Sequence, residues 1–218
     1  MSDRPPEAGS LVRAAYAAVR EAVLTRELRP GQRVTVRPLS ERLGFSPTPV
    51  KAALAILERE GFLVSRPHSG YFVAELTAAD MRDIYELRSA VDTLAARDLA
   101  RSRPPELLAR LGDLIDGQHA ALADGDVTRY AELDREFHAL IWQGSPNRRL
   151  LAIADLLGAQ LQLGQNVTIS VPGRPEASLG EHREILDALR SGDTAAAEQA
   201  TRRHITQVIR ALETALPQ

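Results

Sequence analysis

The stretch from Thr35 to Lys51 holds two helix starts and one helix stop in close succession, and that crowding leaves few folds open. Thr35 opens a short amphipathic segment in which Leu39 and Leu43 recur at helical spacing, and Gly44 follows where a left-handed closing residue belongs. Ser46 then offers a capping oxygen for the next helix, with Pro47 in the first-turn position that tolerates a missing N–H. Val50, Ala53, Leu54 and Leu57 form one apolar face of that helix, which stops at Gly61. Upstream, Leu11, Ala15, Val19, Ala22 and Val23 mark an amphipathic helix over residues 10–28, with Ser10 as its cap and Arg29-Pro30-Gly31 as its end. Downstream, residues 62–66 and 71–75 are β-branched and aromatic runs flanking Pro67-His68-Ser69-Gly70, the pattern of a hairpin. Three helices and a β-hairpin in this order predict a winged helix-turn-helix over residues 1–75.

From Thr77 onward the pattern is helical throughout. Helices are expected near 77–101, 104–123, 126–143, 147–166, 176–191 and 193–214, separated by Pro104-Pro105, Gly125, Pro146-Asn147 and Gly192-Asp193. Thr77 with Asp80 three residues on forms a capping-box variant. Thr168 to Pro175, with its two prolines and a glycine, is the expected mobile loop. Long helices with short connections predict an all-α antiparallel bundle over 77–218, so the fold class is mainly α. The chain has no cysteine, which removes disulfides and thiolate metal sites. No apolar run approaches the roughly 20 residues needed to span a bilayer, and the charged start Met1-Ser2-Asp3-Arg4 lacks a signal-peptide apolar region. A cytoplasmic protein with no membrane partner is expected.

The formal charge of −2 says little, but its distribution says more. Residues 1–74 carry 11 basic against 7 acidic side chains, and the remainder carries 16 against 22. That asymmetry suits a chain of which only the front half meets phosphate, although chance surface variation also produces such differences. In a helix-turn-helix the N-terminal end of the second helix meets base edges while its flanks hold phosphates. Here Ser46 and Thr48 supply hydroxyls and Lys51, a turn along, a cation. Arg37 opens the helix that crosses the backbone, and the wing tip with Ser69 and Gly70 can approach a minor groove. A winged helix devoted to protein contacts is the alternative.

These residues resemble the N-terminal domain of the GntR superfamily. The resemblance rests on Leu39-Ser40-Glu41-Arg42-Leu43-Gly44, Ser46-Pro47-Thr48-Pro49-Val50-Lys51, Leu57-Glu58-Arg59-Glu60-Gly61-Phe62 and Gly70-Tyr71-Phe72-Val73. It implies that Arg37, Ser46, Lys51 and Gly70 contact DNA. Two departures stand out: Pro47 occupies a position where the family usually has a base-reading Arg, and Lys51 replaces a second Arg. Proline has no side-chain donor and lysine no bidentate fork, so operator preference does not transfer.

In the rear half, Asp134 and His138 project from one helical face a turn apart, with His182 and His204 on later helices. Imidazoles and a carboxylate form a borderline N/O set suited to a divalent ion, Zn²⁺ first, with Ni²⁺, Mn²⁺ or Fe²⁺ as alternatives. By themselves such scattered histidines are more often surface or core polar residues. Residues 80–210, however, resemble the effector domain of the FadR subfamily. The carriers are Tyr85-Glu86-Leu87-Arg88, Asp134-Arg135-Glu136-Phe137-His138, Asn147 with Leu150-Leu151, Glu181-His182-Arg183-Glu184-Ile185-Leu186, and Gly192-Asp193 followed by His204. The resemblance implies a metal site at Asp134, His138, His182 and His204, whereas His68 and His119 match no ligand position. Arg88 is the candidate second anchor for an effector carboxylate, or else pairs with an acidic residue inside the bundle. The leading expectation is a homodimer that binds a pseudo-palindromic double-stranded DNA operator under control of a small organic acid. A metal-dependent hydrolase-like enzyme and a pure metal sensor are the alternatives.

Overall fold

The computed structural model describes residues 8–67, 69–75 and 77–216 and divides into two compact units, residues 1–76 and 77–218. In the first, α1 (Ala8–Leu24) packs on α3 (Pro47–Arg59), burying Ala15, Val19, Val50, Ala53, Leu54 and Leu57. Because α1 begins at Ala8, Ser10 lies in its first turn and is not its cap. The helix also ends earlier than residue 28. Arg26 takes a φ of 59°, and the Leu28 N–H reaches back to the Ala22 carbonyl at 2.8 Å, which tucks Leu28 into the core.

The turn after α2 (Val36–Leu43) uses Gly44 at φ 71°, a left-handed position that a side chain would strain. Ser46 stands at the cap position of α3 but makes no capping side-chain bond, so its hydroxyl is left to other partners. The wing strands β2 (Leu63–Arg66) and β3 (Gly70–Val73) are joined by a third strand, β1 (Arg33–Val34), in the antiparallel order β1-β3-β2. Register is fixed by Arg33 opposite Phe72 and Leu63 opposite Val73. A two-residue strand carries no alternation to read in sequence. Phe62, Leu63 and Val73 close this small core. His68, at the wing tip, lies outside the described residues.

The second unit consists, among the described residues, of α4 (Ala78–Ser102), α5 (Pro105–Ala123), α6 (Val127–Gln143), α7 (Arg148–Ile169), α8 (Arg174–Ser191) and α9 (Thr194–Ala215). Thr77 and Asp80 close a reciprocal capping box at the head of α4. Asp126, Asn147 and Asp193 accept backbone N–H bonds at the starts of α6, α7 and α9. The longest seam joins α4 to α9, and it is antiparallel: Arg82 near the start of α4 pairs with Glu213 near the end of α9, while Arg97 faces Glu198 at 3.8 Å. Leu99, Leu111, Phe137, Ile185 and Leu189 sit at the centre of one continuous apolar core. The stretch from Thr168 to Pro175 is shorter as a loop than its composition implies. Helix α7 runs through Ile169 and α8 begins at Arg174, with Pro175 in its first turn, so the connection is residues 170–173. No helix among the described residues is long and apolar enough to cross a membrane.

Two glycines inside α7 differ in kind. A Cβ at Gly164 would stand 2.7 Å from the Tyr85 ring, so the missing side chain is what lets α7 approach α4. A Cβ at Gly158 would meet nothing within 4 Å. Gly164→Ala is therefore expected to destabilise the protein by about 1–3 kcal/mol through overpacking. Gly158→Ala should stabilise it by about 1 kcal/mol through helix propensity. Urea unfolding of the two variants reads the difference, and equal effects would contradict this packing.

Candidate metal centre and DNA-reading face

Four-residue spacing on α6 brings Asp134 and His138 to one face, and α8 and α9 bring His182 and His204 towards it. The three imidazoles are almost fully buried, at 4%, 0% and 1% exposure for His138, His182 and His204. A ligand nitrogen from each lies within 4.8 Å of the others. Phe137 stacks on His182 at 4.3 Å between ring centroids and walls the cluster on one side. Asp134 stands at its edge. One of its oxygens is 3.7 Å from His182 Nε2, and the other accepts a 2.6 Å bond from Gln165 Nε2.

Each imidazole is held from behind. His138 Nδ1 faces Asp92 Oδ2 at 3.3 Å, His182 Nδ1 faces Gln118 Oε1 at 2.9 Å, and His204 Nδ1 faces Glu181 Oε2 at 2.6 Å. Gln118 donates its amide N–H to the Leu133 carbonyl, so its oxygen is the atom turned to His182, and His182 Nδ1 must carry the proton. Carboxylates impose the same tautomer on the other two rings. All three rings therefore carry their lone pair on Nε2, and the Nε2 atoms of His182 and His204 are buried with no hydrogen-bond partner among the described residues. A buried, aimed and unpartnered lone pair is costly unless something electrophilic accepts it. The backing acceptors match the outer partners that orient metal-binding histidines and raise their basicity.

Burial keeps two of these rings, His182 and His204, neutral. Burial, reinforced by the neighbouring His204 and His138, pushes the His182 pKa well below the ordinary imidazole value. Burial likewise lowers His204 to about 4, against the opposing pull of the Glu181 carboxylate. Burial alone would raise Asp92, but Arg88, His138 and the Trp142 N–H overcome it and hold the carboxyl at about 2. Glu181 is lowered too, because its bonds to His204 and to Arg174 outweigh its own burial. The Arg174 fork meets both Glu181 oxygens, at 2.9 and 2.6 Å.

Beside the imidazoles lies a cavity of about 30 Å³, bordered by Tyr85, Arg88, Asp134, His138, Arg174 and His204. Arg88 makes the internal ion pair that the sequence left open to it, and it lies on the cavity wall. Its Nε pairs with Asp92 at 3.2 Å inside the bundle, and its side chain also borders the cavity. The residues missed from sequence are the holders: Asp92, Gln118, Glu181 and Gln165. Glu181 carried a signal, being next to His182, and Asp92 lies one turn beyond Arg88. Gln118 and Gln165 carried none, because their partners lie 64 and 31 residues away.

On the first unit, Arg37 near the start of α2 and Ser46, Thr48 and Lys51 at the start of α3 are exposed, and Arg37 pairs with Glu41 at 3.3 Å. Gly70 is exposed at φ 89°, and Ser69 is half-buried, its carbonyl accepting a 2.7 Å bond from Arg33. The cations and hydroxyls expected to meet DNA are thus each open to solvent.

Comparison with known proteins places both units. Residues 11–73 match the family described as bacterial regulatory proteins, gntR family, and residues 83–207 match the FCD domain. A regulator from Bacillus subtilis, the uncharacterized HTH-type transcriptional regulator YdhC, is 25% identical over 190 residues, covering 87% of this chain and 85% of that one. An uncharacterized HTH-type transcriptional regulator from an unstable DNA locus of Streptomyces ambofaciens is 29% identical over 198 residues, covering 91% and 83%. The solved Escherichia coli McbR/YncC structure has the same fold, with a TM-score of 0.77 at 22% identity over 94% of this chain and 97% of that one. These families and relatives are transcriptional regulators, not enzymes.

The neutral imidazoles make metal-free stability depend on pH. Unfolded histidines titrate near 6.5, whereas His204 in the fold titrates near 4, so between those values the unfolded state binds more protons. Stability is present in full above about pH 6.5 and is lost as the pH falls towards 4, by on the order of 3 kcal/mol for one such group. Thermal melts of chelated protein across that range should show this decline, with a shallower slope in His204→Gln. Identical slopes in the two proteins would contradict it.

Proposed function

We propose, from a chain that belongs to the GntR family of bacterial regulatory proteins with a C-terminal FCD domain, that its operator binding is governed by an organic acid meeting a bound divalent ion. The coarser activity is that of the family: the chain is a DNA-binding transcriptional regulator. The finer reading rests on one observation, the three buried imidazoles backed at Nδ1, two of them with unpartnered Nε2 atoms. His138, His182 and His204 would hold the ion, with Asp134 as the oxygen ligand, and Zn²⁺ suits that N/O set, as do Ni²⁺, Mn²⁺ and Fe²⁺. The ion supplies a positive centre for a hard anionic oxygen.

The chain's own residues do the rest. Asp92, Gln118 and Glu181 fix the imidazole tautomers, and Gln165 orients Asp134. Arg88, charged and bordering the same cavity, pairs with the acid's carboxylate alongside the metal. To regulate, the acid must bind two states of the helical unit with different affinity, typically by about 1–3 kcal/mol of coupling. On the other unit, Arg37, Ser46, Thr48, Lys51, Ser69 and Gly70 are the DNA contacts. A dimer on a pseudo-palindromic site follows from the small area one winged helix buries.

Elemental analysis of protein purified without chelator should find one divalent ion per chain, and His182→Ala should reduce it severalfold. Equal metal content in both would remove the site. If metal alone, without any acid, switches operator binding, the ion is itself the signal and the acid has no part. In the DNA unit, Lys51→Ala is expected to weaken operator binding by about 1–3 kcal/mol if it reads a base. It should instead flatten the salt dependence by about one unit if it meets only phosphate. Fluorescence anisotropy at several salt concentrations separates these, and no change in either quantity would displace the assigned reading helix.

A further inference from the structure

The cavity at the imidazoles does not stand alone. A second chamber of about 180 Å³ lies between α6 and α7 and shares Arg88, Asp134, His138 and Gln165 with the first. Its lining changes character along its length. The shared end is charged and polar, while the rest is walled by Ala139 and Trp142 of α6 and by Gly158 and Leu161 of α7, with Arg135 and Gln162 also on the lining. Helical spacing produces this arrangement, since 134, 138 and 142 share a face of α6 and 158, 161 and 165 share a face of α7.

Resting on the proposed acid-binding function, we propose that the acid is a monocarboxylate with an apolar tail, its head at the imidazole end and its ring or alkyl chain in this second chamber. Three observations bear on the tail. First, size: the inner cavity, at about 30 Å³, has room for roughly one water, so an acid larger than its own carboxylate must extend elsewhere. An apolar cavity of about 150 Å³ is enough to take up a benzene, and the chamber exceeds that. Second, the chamber wall is prepared. The Trp142 indole N–H is tied to Asp92 Oδ1 at 2.6 Å, the same carboxylate that backs His138 and pairs with Arg88, so the ring is held in place by the site's own framework. Third, Gly158 is a helix-interior glycine whose side chain is absent without a packing reason, because a Cβ there would meet nothing within 4 Å. The helix gives up propensity at the position where the chamber needs room. A hydrophilic di- or tricarboxylate would have to leave its second charge against Ala139, Trp142 and Leu161, or draw on Arg135, whose fork is already bonded to Gln165 at 2.9 Å.

The test is calorimetric titration of Zn²⁺-loaded full-length protein with acetate, butyrate, hexanoate, phenylacetate, succinate and citrate. Affinity should rise from acetate to hexanoate by roughly fourfold per methylene buried, with phenylacetate in the upper range and succinate and citrate below butyrate. Gly158→Leu, which fills the chamber from open space, should bring hexanoate and phenylacetate down to the affinity of acetate while leaving acetate unchanged. Affinity independent of chain length, tightest binding by succinate or citrate, or an unaltered hexanoate affinity in a folded Gly158→Leu variant would each overturn the apolar tail while leaving an acid-responsive site standing. If none of the six acids binds the Zn²⁺-loaded protein, the acid-binding reading fails and this inference falls with it. The wild-type series decides the question even where the variant does not fold.

Discussion

Three imidazoles facing one another in an apolar interior set the terms for the helical unit. Burial holds the His182 and His204 imidazoles neutral, and the nearby Arg88 guanidinium works in the same direction. Neutrality alone does not orient a ring. Orientation comes from Asp92, Gln118 and Glu181, one acceptor for each Nδ1, contributed by α4, α5 and α8. Those holders are held in turn: Asp92 by Arg88 and Trp142, Gln118 by the Leu133 carbonyl, Glu181 by the Arg174 fork. Every helix of the unit except α7 and α9 thus gives a backing group or a backbone anchor to the cluster, and α9 gives a ring. Helix α7 gives Gln165, which aligns Asp134. The cluster is the meeting point of the bundle rather than an addition to its surface.

The same geometry gives Arg88 two settings, an ion pair and a cavity wall. A guanidinium with fivefold donor capacity can leave its Nε on Asp92 and still turn part of the fork to the cavity. The pairing keeps the cation's cost of burial down, and it also lowers Asp92 so that the carboxylate stays charged behind His138. Of the two readings open in the sequence, the internal ion pair is the one present, and it leaves Arg88 on the cavity lining where the proposed anchor role would need it.

How much of this was legible in the sequence follows the range of each interaction. Gly44, the Thr77–Asp80 box and the Asp134–His138 pair are local, and a local rule reads each of them. His182 and His204 became a set with that pair only through the resemblance to a known effector domain, since nothing in their own spacing aims them at α6. Gln118 could not be read at all. It is an ordinary helix residue next to His119, and its function depends on a partner in α8 and a carbonyl in α6. The helix ends at Leu24 and Ile169 were misread for a related reason. Arg26 leaves the helix through a left-handed φ rarely taken by arginine, and Thr168 and Ile169 stay helical although proline and glycine follow closely.

The two units answer different physical demands, and their charged groups differ accordingly. On the first unit the Arg37 side chain is 88% exposed and that of its partner Glu41 70%, so the ion pair between them is solvated and worth little. Such a pair exchanges readily for a phosphate, because the arginine gives up almost nothing when it changes partner. In the helical unit Arg88 and Asp92 have side chains only 8% and 2% exposed, and breaking that pair without replacing it would strand a buried charge. The cation on the cavity wall is therefore already oriented, inside a framework that resists rearrangement. Weak pairs suit a surface that must bind and release a polyelectrolyte as salt and occupancy change. Strong, fully backed pairs suit a buried site whose geometry must not rearrange.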